Sequence, residues 1–223
     1  MAHELRNPLA EIRLLADVGA ASRDPDATQA TIRDIGSAAA EMEQIVDALM
    51  ALTRYEAGLE SPQPEPVNLD GELRREVGKQ AVAAEQRGLT IALDLPGEVW
   101  VHTDSALVHR LLANLLGNAV SHAPHGSTVH VELSRNGDLS LANPAPHLDA
   151  ADVPRLAERF YRIDHGEQGA HAGLGLSLAD AIAQALGLTL RLKLRYDGWL
   201  VAEVHGFRAL DLATPPRGRS DTS

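Results

Sequence analysis

Cysteine is absent from this chain, so neither a disulfide nor a thiolate metal site can contribute to its stability or chemistry, and a reducing cytoplasm is permitted. Aromatic residues are scarce at 3%, which leaves the core to Leu, Val, Ile and Ala. No apolar run approaches the ~20 residues that a membrane-spanning helix needs. Met1-Ala2-His3-Glu4 opens into an amphipathic pattern without the basic and then apolar leader of a secretory signal. Positive charge is also short, with 20 Lys and Arg against 31 Asp and Glu and a formal net charge of −11. That balance argues against a nucleic-acid surface, because phosphate backbones are held chiefly by clustered cations. A polyphosphate ligand would require a metal ion to help neutralise it. Two motifs are missing as well: there is no Gly-x-x-x-x-Gly-Lys-Ser/Thr loop and no Gly-x-Ser-x-Gly elbow, which excludes P-loop NTPases and serine hydrolases of that type.

What is present begins with helical periodicity. From Ala2 to about Ala21, Leu5, Leu9, Ile12 and Ala16 recur at steps of four and three, predicting a helix with one buried stripe. Ser22 to Asp26 supplies turn residues. A second helix is expected over about Ala27–Ala57, where Ile32, Ala39 and Val46, and Ile35, Met42 and Leu49, repeat every seven. Helices joined by so short a turn form an antiparallel hairpin, and a seam this wide predicts a homodimer completed as a four-helix bundle. Residues 1–60 are assigned to this hairpin and residues 61–66, Ser-Pro-Gln-Pro-Glu-Pro, to an extended linker, because alternating prolines remove backbone donors.

Residues 67–207 form a second domain in this reading. Helices are expected over Asp70–Arg87, Asp104–His122 and Leu174–Leu186. Strands are expected near Leu89–Asp94, Val99–Val101, Thr128–Ser134 and Leu139–Asn143, with a closing hairpin of Leu188–Arg195 and Trp199–His205 turned at Asp197-Gly198. The pattern predicts an α+β protein, in which the helical hairpin precedes an α/β sandwich with helices on a mixed sheet. Residues 208–223 read as a disordered tail.

Three constellations carry chemistry. In His3-Glu4-Leu5-Arg6-Asn7-Pro8-Leu9, His3 and Asn7 share a helical face away from Leu5 and Leu9. Pro8 bends the helix just below them, an imidazole is a competent nucleophile near neutral pH, and the adjacent carboxylate of Glu4 can take its other proton. Taken alone, the segment reads equally well as an exposed histidine at a helix start. In Arg110 to Ala119, Asn114 and Asn118 lie on one face opposite Leu111, Leu112 and Leu115, so two amides can point together into a site. Amide oxygens are hard ligands suited to Mg²⁺ held largely by phosphate and water, although two solvated asparagines would look the same. The third constellation joins Glu158-Arg159-Phe160-Tyr161-Arg162 to glycines ending in Gly173-Leu174-Gly175-Leu176. Glycines at a loop-to-helix junction let backbone amides approach phosphate at the positive end of the helix. His122, His125 and His130 fall across a helix end, a turn and a strand and make no zinc pattern.

In this order the three resemble the HisKA-type sensor histidine kinases with their GHKL-type ATPase domain, from His3 to about Phe207. The resemblance implies ATP-dependent phosphorylation of His3 and transfer of the phosphoryl group to an aspartate of a response regulator, with phosphatase activity toward that regulator. It implies Glu4 as general base and Asn7 as the residue that orients water for dephosphorylation. Asn114 would bind Mg²⁺ and Asn118 phosphate, Phe160 would open the ATP lid, and Gly173, Leu174 and Gly175 would line the phosphates. It also implies a longer parent anchored in the inner membrane, with this portion cytoplasmic, because family members carry more of the first helix and a sensor upstream. Departures fall on the nucleotide. Where the family has Asp-x-Gly-x-Gly, this chain has Asn143-Pro144-Ala145-Pro146-His147, so an amide stands at the adenine-reading position, and Ser121 and His122 replace a common Lys or Arg and Tyr. Asn143 is expected to read adenine less selectively, since a flipped amide could donate to guanine. The competing reading is a binding module whose altered adenine motif leaves scaffold or phosphatase function alone.

Overall fold

The structure, a computed structural model, describes residues 12–20, 24, 27–33, 35–36, 39, 62–158 and 175–210. At the N-terminal end, residues 12–20 and 27–33 are helical, and Asp24 between them accepts from the Thr28 amide at 3.0 Å and its hydroxyl at 2.9 Å. The two segments touch. A Cβ on Gly19 would lie 3.1 Å from Thr31 Cγ2, a closeness that a hairpin requires. The face turned inward carries Ile12, Leu15 and Gly19, whereas Ala16, expected on the stripe, is exposed. The spacing of three, four and seven around Ile12 decides this, because it follows the line of contact with the second helix. Leu14, Val18 and Ile32 are left 64%, 54% and 62% exposed in the single chain. His3, Glu4 and Asn7, and most of the second helix expected over Ala27–Ala57, lie outside the described residues.

The second domain is a five-stranded mixed sheet covered on one face by three helices. Its order is β2-β4-β5-β7-β6, from Thr90–Asp94 (β2), Thr128–Leu133 (β4), Leu139–Pro144 (β5), Thr189–Leu194 (β6) and Trp199–His205 (β7). Only β2 and β4 run parallel, and the connection between them is long enough to include a helix. The helices are α1 (Leu69–Gln86), α2 (Ser105–His122) and α3 (Gly175–Ala185). A 3-10 turn at Val153–Arg155 interrupts the irregular stretch after β5.

Helix α2 forms the spine of the core. Asp104 caps its start by accepting from the Leu107 amide at 3.0 Å, and Ala123, followed by Pro124, ends it. Leu107, Val108, Leu111, Leu112, Leu115, Leu116, Ala119 and Val120 are all buried, a stripe wide enough to meet α1, α3 and the sheet together. Strand β4 alternates buried Val129, Val131 and Leu133 with exposed His130 and Glu132, so one sheet face meets the helices and the other meets solvent. The His130 ring lies 5.1 Å from that of Trp199, tilted by 56°. Helix α1 buries a carboxylate. Glu76 is 2% exposed and answered by Lys79 at 3.3 Å and by His109 of α2 at 3.6 Å.

Two boundaries differ from the sequence reading. Glu65 and Pro66, read as linker, begin a strand: β1 (Glu65–Asn68) pairs antiparallel with β3 (Trp100–Thr103). The prolines permit this because they fall at even positions, while the amides that face β3 are odd, as the Leu69 donation to Val99 at 2.9 Å shows. At the other end Ala209 bridges Val101 and the Leu210 amide donates to the Trp100 carbonyl at 2.7 Å, so residues 208–210, read as tail, are tied to the opposite edge of β3. Residues 211–223 lie outside the described residues.

On the solvent face of the sheet His205 contacts Asp138 at 2.9 Å and Glu203 at 3.5 Å, and Lys193 contacts Glu203 at 2.6 Å. The hydrogen bond to Asp138 raises the His205 pKa, and the hydrogen bond from Lys193 lowers that of Glu203. A raised histidine pKa stabilises the fold below its ordinary value of 6.5 and loses that contribution as pH climbs through the folded value. His205→Gln is therefore expected to lower the melting temperature slightly at pH 5.5 and not at pH 8.5. Solvent screening of these exposed groups keeps the difference small.

Candidate functional site

Asn114 and Asn118 are one turn apart on α2, both half-buried, on the face that the leucine stripe leaves open. That face is met by the start of α3. A Cβ on Gly175 would lie 3.8 Å from the Asn114 carbonyl oxygen and 4.0 Å from Asn118 Cβ. These are ordinary contact distances, so the start of α3 lies directly against the turn of α2 that carries the two asparagines. The fold thus brings together two constellations that are about 60 residues apart in sequence. The amide groups at the start of α3 add a positive pole on the same side. Ser177, the third residue of α3, is buried and was not singled out by its sequence context.

The asparagine side chains are oriented by the backbone. Asn114 donates Nδ2 to the Arg110 carbonyl one turn back at 2.7 Å, so its Oδ1 is the oxygen not engaged in that bond. A hard oxygen so presented fits Mg²⁺, and among the described residues no cluster of acidic or imidazole groups offers an all-protein cage. Helix α2 packs against β5, whose penultimate residue, Asn143, is 3% exposed. Asn143 donates Nδ2 to the Pro144 carbonyl at 3.1 Å, so it too presents an acceptor oxygen. A flip of that amide would forfeit the bond, worth about 0.5–1.5 kcal/mol as one neutral hydrogen bond. The next turn is anchored to the sheet by the Ala145 amide on the Gly198 carbonyl at 2.8 Å.

Of the site residues expected from sequence, Asn114, Asn118 and Gly175 come together, and Asn143 is the penultimate residue of the strand that packs against their helix. Phe160, Gly173 and Leu174, like His3, Glu4 and Asn7, lie outside the described residues. The sequence reading assigned no role to Asp104, although an Asp immediately before an apolar periodic run is the usual mark of a helix N-cap.

Residues 103–209 match the histidine kinase-, DNA gyrase B- and HSP90-like ATPase family, and residues 1–58 match the His Kinase A (phospho-acceptor) domain. Similar curated proteins include the sensor histidine kinase TrcS of Mycobacterium tuberculosis, 34% identical over 82% of this chain and 38% of TrcS. The sensor protein SphS of Synechococcus elongatus is also 34% identical, over 83% of this chain and 48% of SphS. The chain spans about half the length of these relatives or less. Among solved structures, the histidine kinase AdeS of Acinetobacter baumannii shares the fold with a TM-score of 0.71 at 18% identity, covering 94% of this chain and 98% of that one.

Proposed function

Since the chain belongs to the HisKA-type sensor histidine kinases, we propose that it binds ATP, phosphorylates its own His3 and passes the phosphoryl group to an aspartate of a response regulator. The observation that carries the proposal is the open face of α2, where Asn114 and Asn118 meet Gly175 at the start of α3. In this reading Asn118 and the amides around Gly173, Leu174 and Gly175 hold the phosphates, Asn143 accepts from the adenine amino group, and Phe160 belongs to the lid. Asn114 is the protein ligand of Mg²⁺, which when bound offsets phosphate charge that an acidic chain cannot.

One nitrogen of the His3 imidazole attacks the γ-phosphorus, the bond to the ADP oxygen breaks, and Glu4 accepts the proton from the other ring nitrogen. The chain works as a homodimer through its helical hairpin. Exposed Leu14, Val18 and Ile32 support that assignment, since a second copy would cover them. No helix among the described residues is long and apolar enough to cross a membrane, and the proposed anchor belongs to a longer, inner-membrane parent with this portion in the cytoplasm.

The direct test is incubation with ATP and Mg²⁺ and assay for phosphate that is labile in acid and stable in base. A chain that binds ATP analogue yet acquires no such label would leave only the scaffold or phosphatase reading. A companion test concerns Asn7, four residues after His3 in sequence. Asn7→Ala is expected to slow removal of phosphate from the regulator about tenfold or more while autophosphorylation changes little, because an amide there orients the attacking water. Equal loss of both activities would show a damaged helix instead.

A further inference from the structure

The chain entering the second domain is bonded to the start of the helix that carries the paired asparagines. Asp104 uses its two carboxylate oxygens for different tasks. Oδ1 accepts from the Leu107 amide at 3.0 Å and caps α2, while Oδ2 accepts from the Gln63 amide at 2.8 Å, 41 residues earlier. Ser105, the first residue of α2, donates its hydroxyl to Glu65 Oε1. The backbone ladder explains the geometry. Odd residues of the entering strand face β3, with Glu65 opposite Thr103, Val67 opposite Val101, and the Leu69 amide on Val99. Gln63 is the next odd residue, and at that level β3 has ended and α2 is about to begin. The Asp104 side chain supplies the acceptor that the strand no longer offers, extending the ladder by one step.

Pro62, Pro64 and Pro66 fit the same logic, because each falls where an amide would point away from β3. The free edge of the entering strand therefore carries no donors at these positions, and it resists both slippage and pairing with another chain.

We infer that Asp104 is a positioning residue for the phosphoryl transfer. It fixes the linker to the ATP-binding domain from Gln63 onward and so sets the length of free chain between the nucleotide site and the histidine-bearing hairpin. Releasing the bond removes one tie on the chain at Gln63 and Pro64, and each residue of extended chain that loosens adds about 3.3–3.6 Å of reach. The reaction joins two groups carried on one assembly, so its rate follows the effective concentration and orientation of one relative to the other, and both fall when the connection slackens. This inference rests on the kinase reading for its consequence in catalysis, while the clamp itself is a property of the fold.

Two variants separate the clamp from the helix cap. Asp104→Asn keeps a capping oxygen for Leu107, since Asn caps as well as Asp, but sets an NH₂ group against the Gln63 amide. Gln63→Pro removes the donor and leaves Asp104 and its cap untouched. Both are made in the full chain. Autophosphorylation at saturating ATP is expected to slow about threefold to tenfold in each, with the KM for ATP within about twofold of the parent. Hydrogen exchange supplies a readout independent of activity. In the parent the Gln63 amide should exchange slowly, like that of Leu69, and in Asp104→Asn it should exchange at least about tenfold faster while the Leu107 amide stays protected.

Rates equal to the parent in both variants would overturn the positioning role. A rise in KM matching the fall in rate would overturn it too, by showing that Asp104 acts through α2 on the nucleotide. If the parent acquires no phosphate at all, the kinase reading fails. The clamp is then judged on exchange alone, and an unprotected Gln63 amide in the parent would end it.

Discussion

His3→Ala is expected to abolish ATP-dependent labelling of the chain and to leave its affinity for nucleotide unchanged. The expectation follows from the order of the sequence and the shape of the fold. The second domain closes its own core from Val67 to Phe207, with α2 at its centre. Every described residue assigned to the nucleotide lies within it. His3 stands on the far side of the proline segment, in the part matched by the phospho-acceptor domain. Removing the imidazole deletes the group to which phosphorus bonds, and no neighbouring side chain in Ala2 to Leu9 can replace it. Labelling should fall below about 1% of the parent, the order of loss expected when a nucleophile is deleted. Calorimetry with a non-hydrolysable ATP analogue should return the same dissociation constant for both chains. Residual acid-labile phosphate on the variant would move the phosphoacceptor elsewhere and take the roles of Glu4 and Asn7 with it.

Asn114→Ala and Asn118→Ala are expected to do the reverse, removing nucleotide binding and with it the labelling of an intact His3. Each amide contributes a polar contact to a charged ligand. Hydrogen bonds to charged groups are worth about 1.5–3 kcal/mol, which corresponds to roughly tenfold to hundredfold in affinity. Stability separates loss of function from loss of fold. Both residues are half-buried and Ala is the better helix former, so the variants should be no more than about 1 kcal/mol less stable to unfolding than the parent even after Asn114 gives up its bond to Arg110. The two should also differ from each other. Asn114→Ala should raise the Mg²⁺ concentration needed for half-maximal binding, whereas Asn118→Ala should weaken binding at every Mg²⁺ concentration. Identical Mg²⁺ dependence in the two variants would dissolve the separate assignment of metal ligand and phosphate contact.

Local pattern determined a large share of this protein. The core face of α2 was legible because its leucines recur at helical spacing and Pro124 stops it. The closing hairpin was legible because Asp197-Gly198 turns between two alternating strands, and Gly198 adopts a φ of 79° there. The same periodicity placed Asn114 and Asn118 on one face, and the resemblance of the motif order to a family supplied the rest of the site.

Other features depend on partners that sequence spacing cannot show. Ser61 to Pro66 reads as a linker because prolines deny it local hydrogen bonds, but β3, more than thirty residues away, provides the acceptors that make Glu65 and Pro66 part of a strand. Glu76 looks like a surface residue of an amphipathic helix, yet α1 lies against α2 and closes over it, with His109 at 3.6 Å. Residues 208–210 look like tail until β3 offers its second edge at Trp100 and Val101. The second oxygen of Asp104 belongs to the same group, since a cap is a local event but its bond to Gln63 exists only once β1 lies beside β3. What the sequence determined by itself was what each segment can form and which chemistry it carries, because periodicity, caps and turns act over a few residues. Tertiary structure alone decided which backbone donors meet which acceptors across the fold, and so where the linker ends and the nucleotide domain begins.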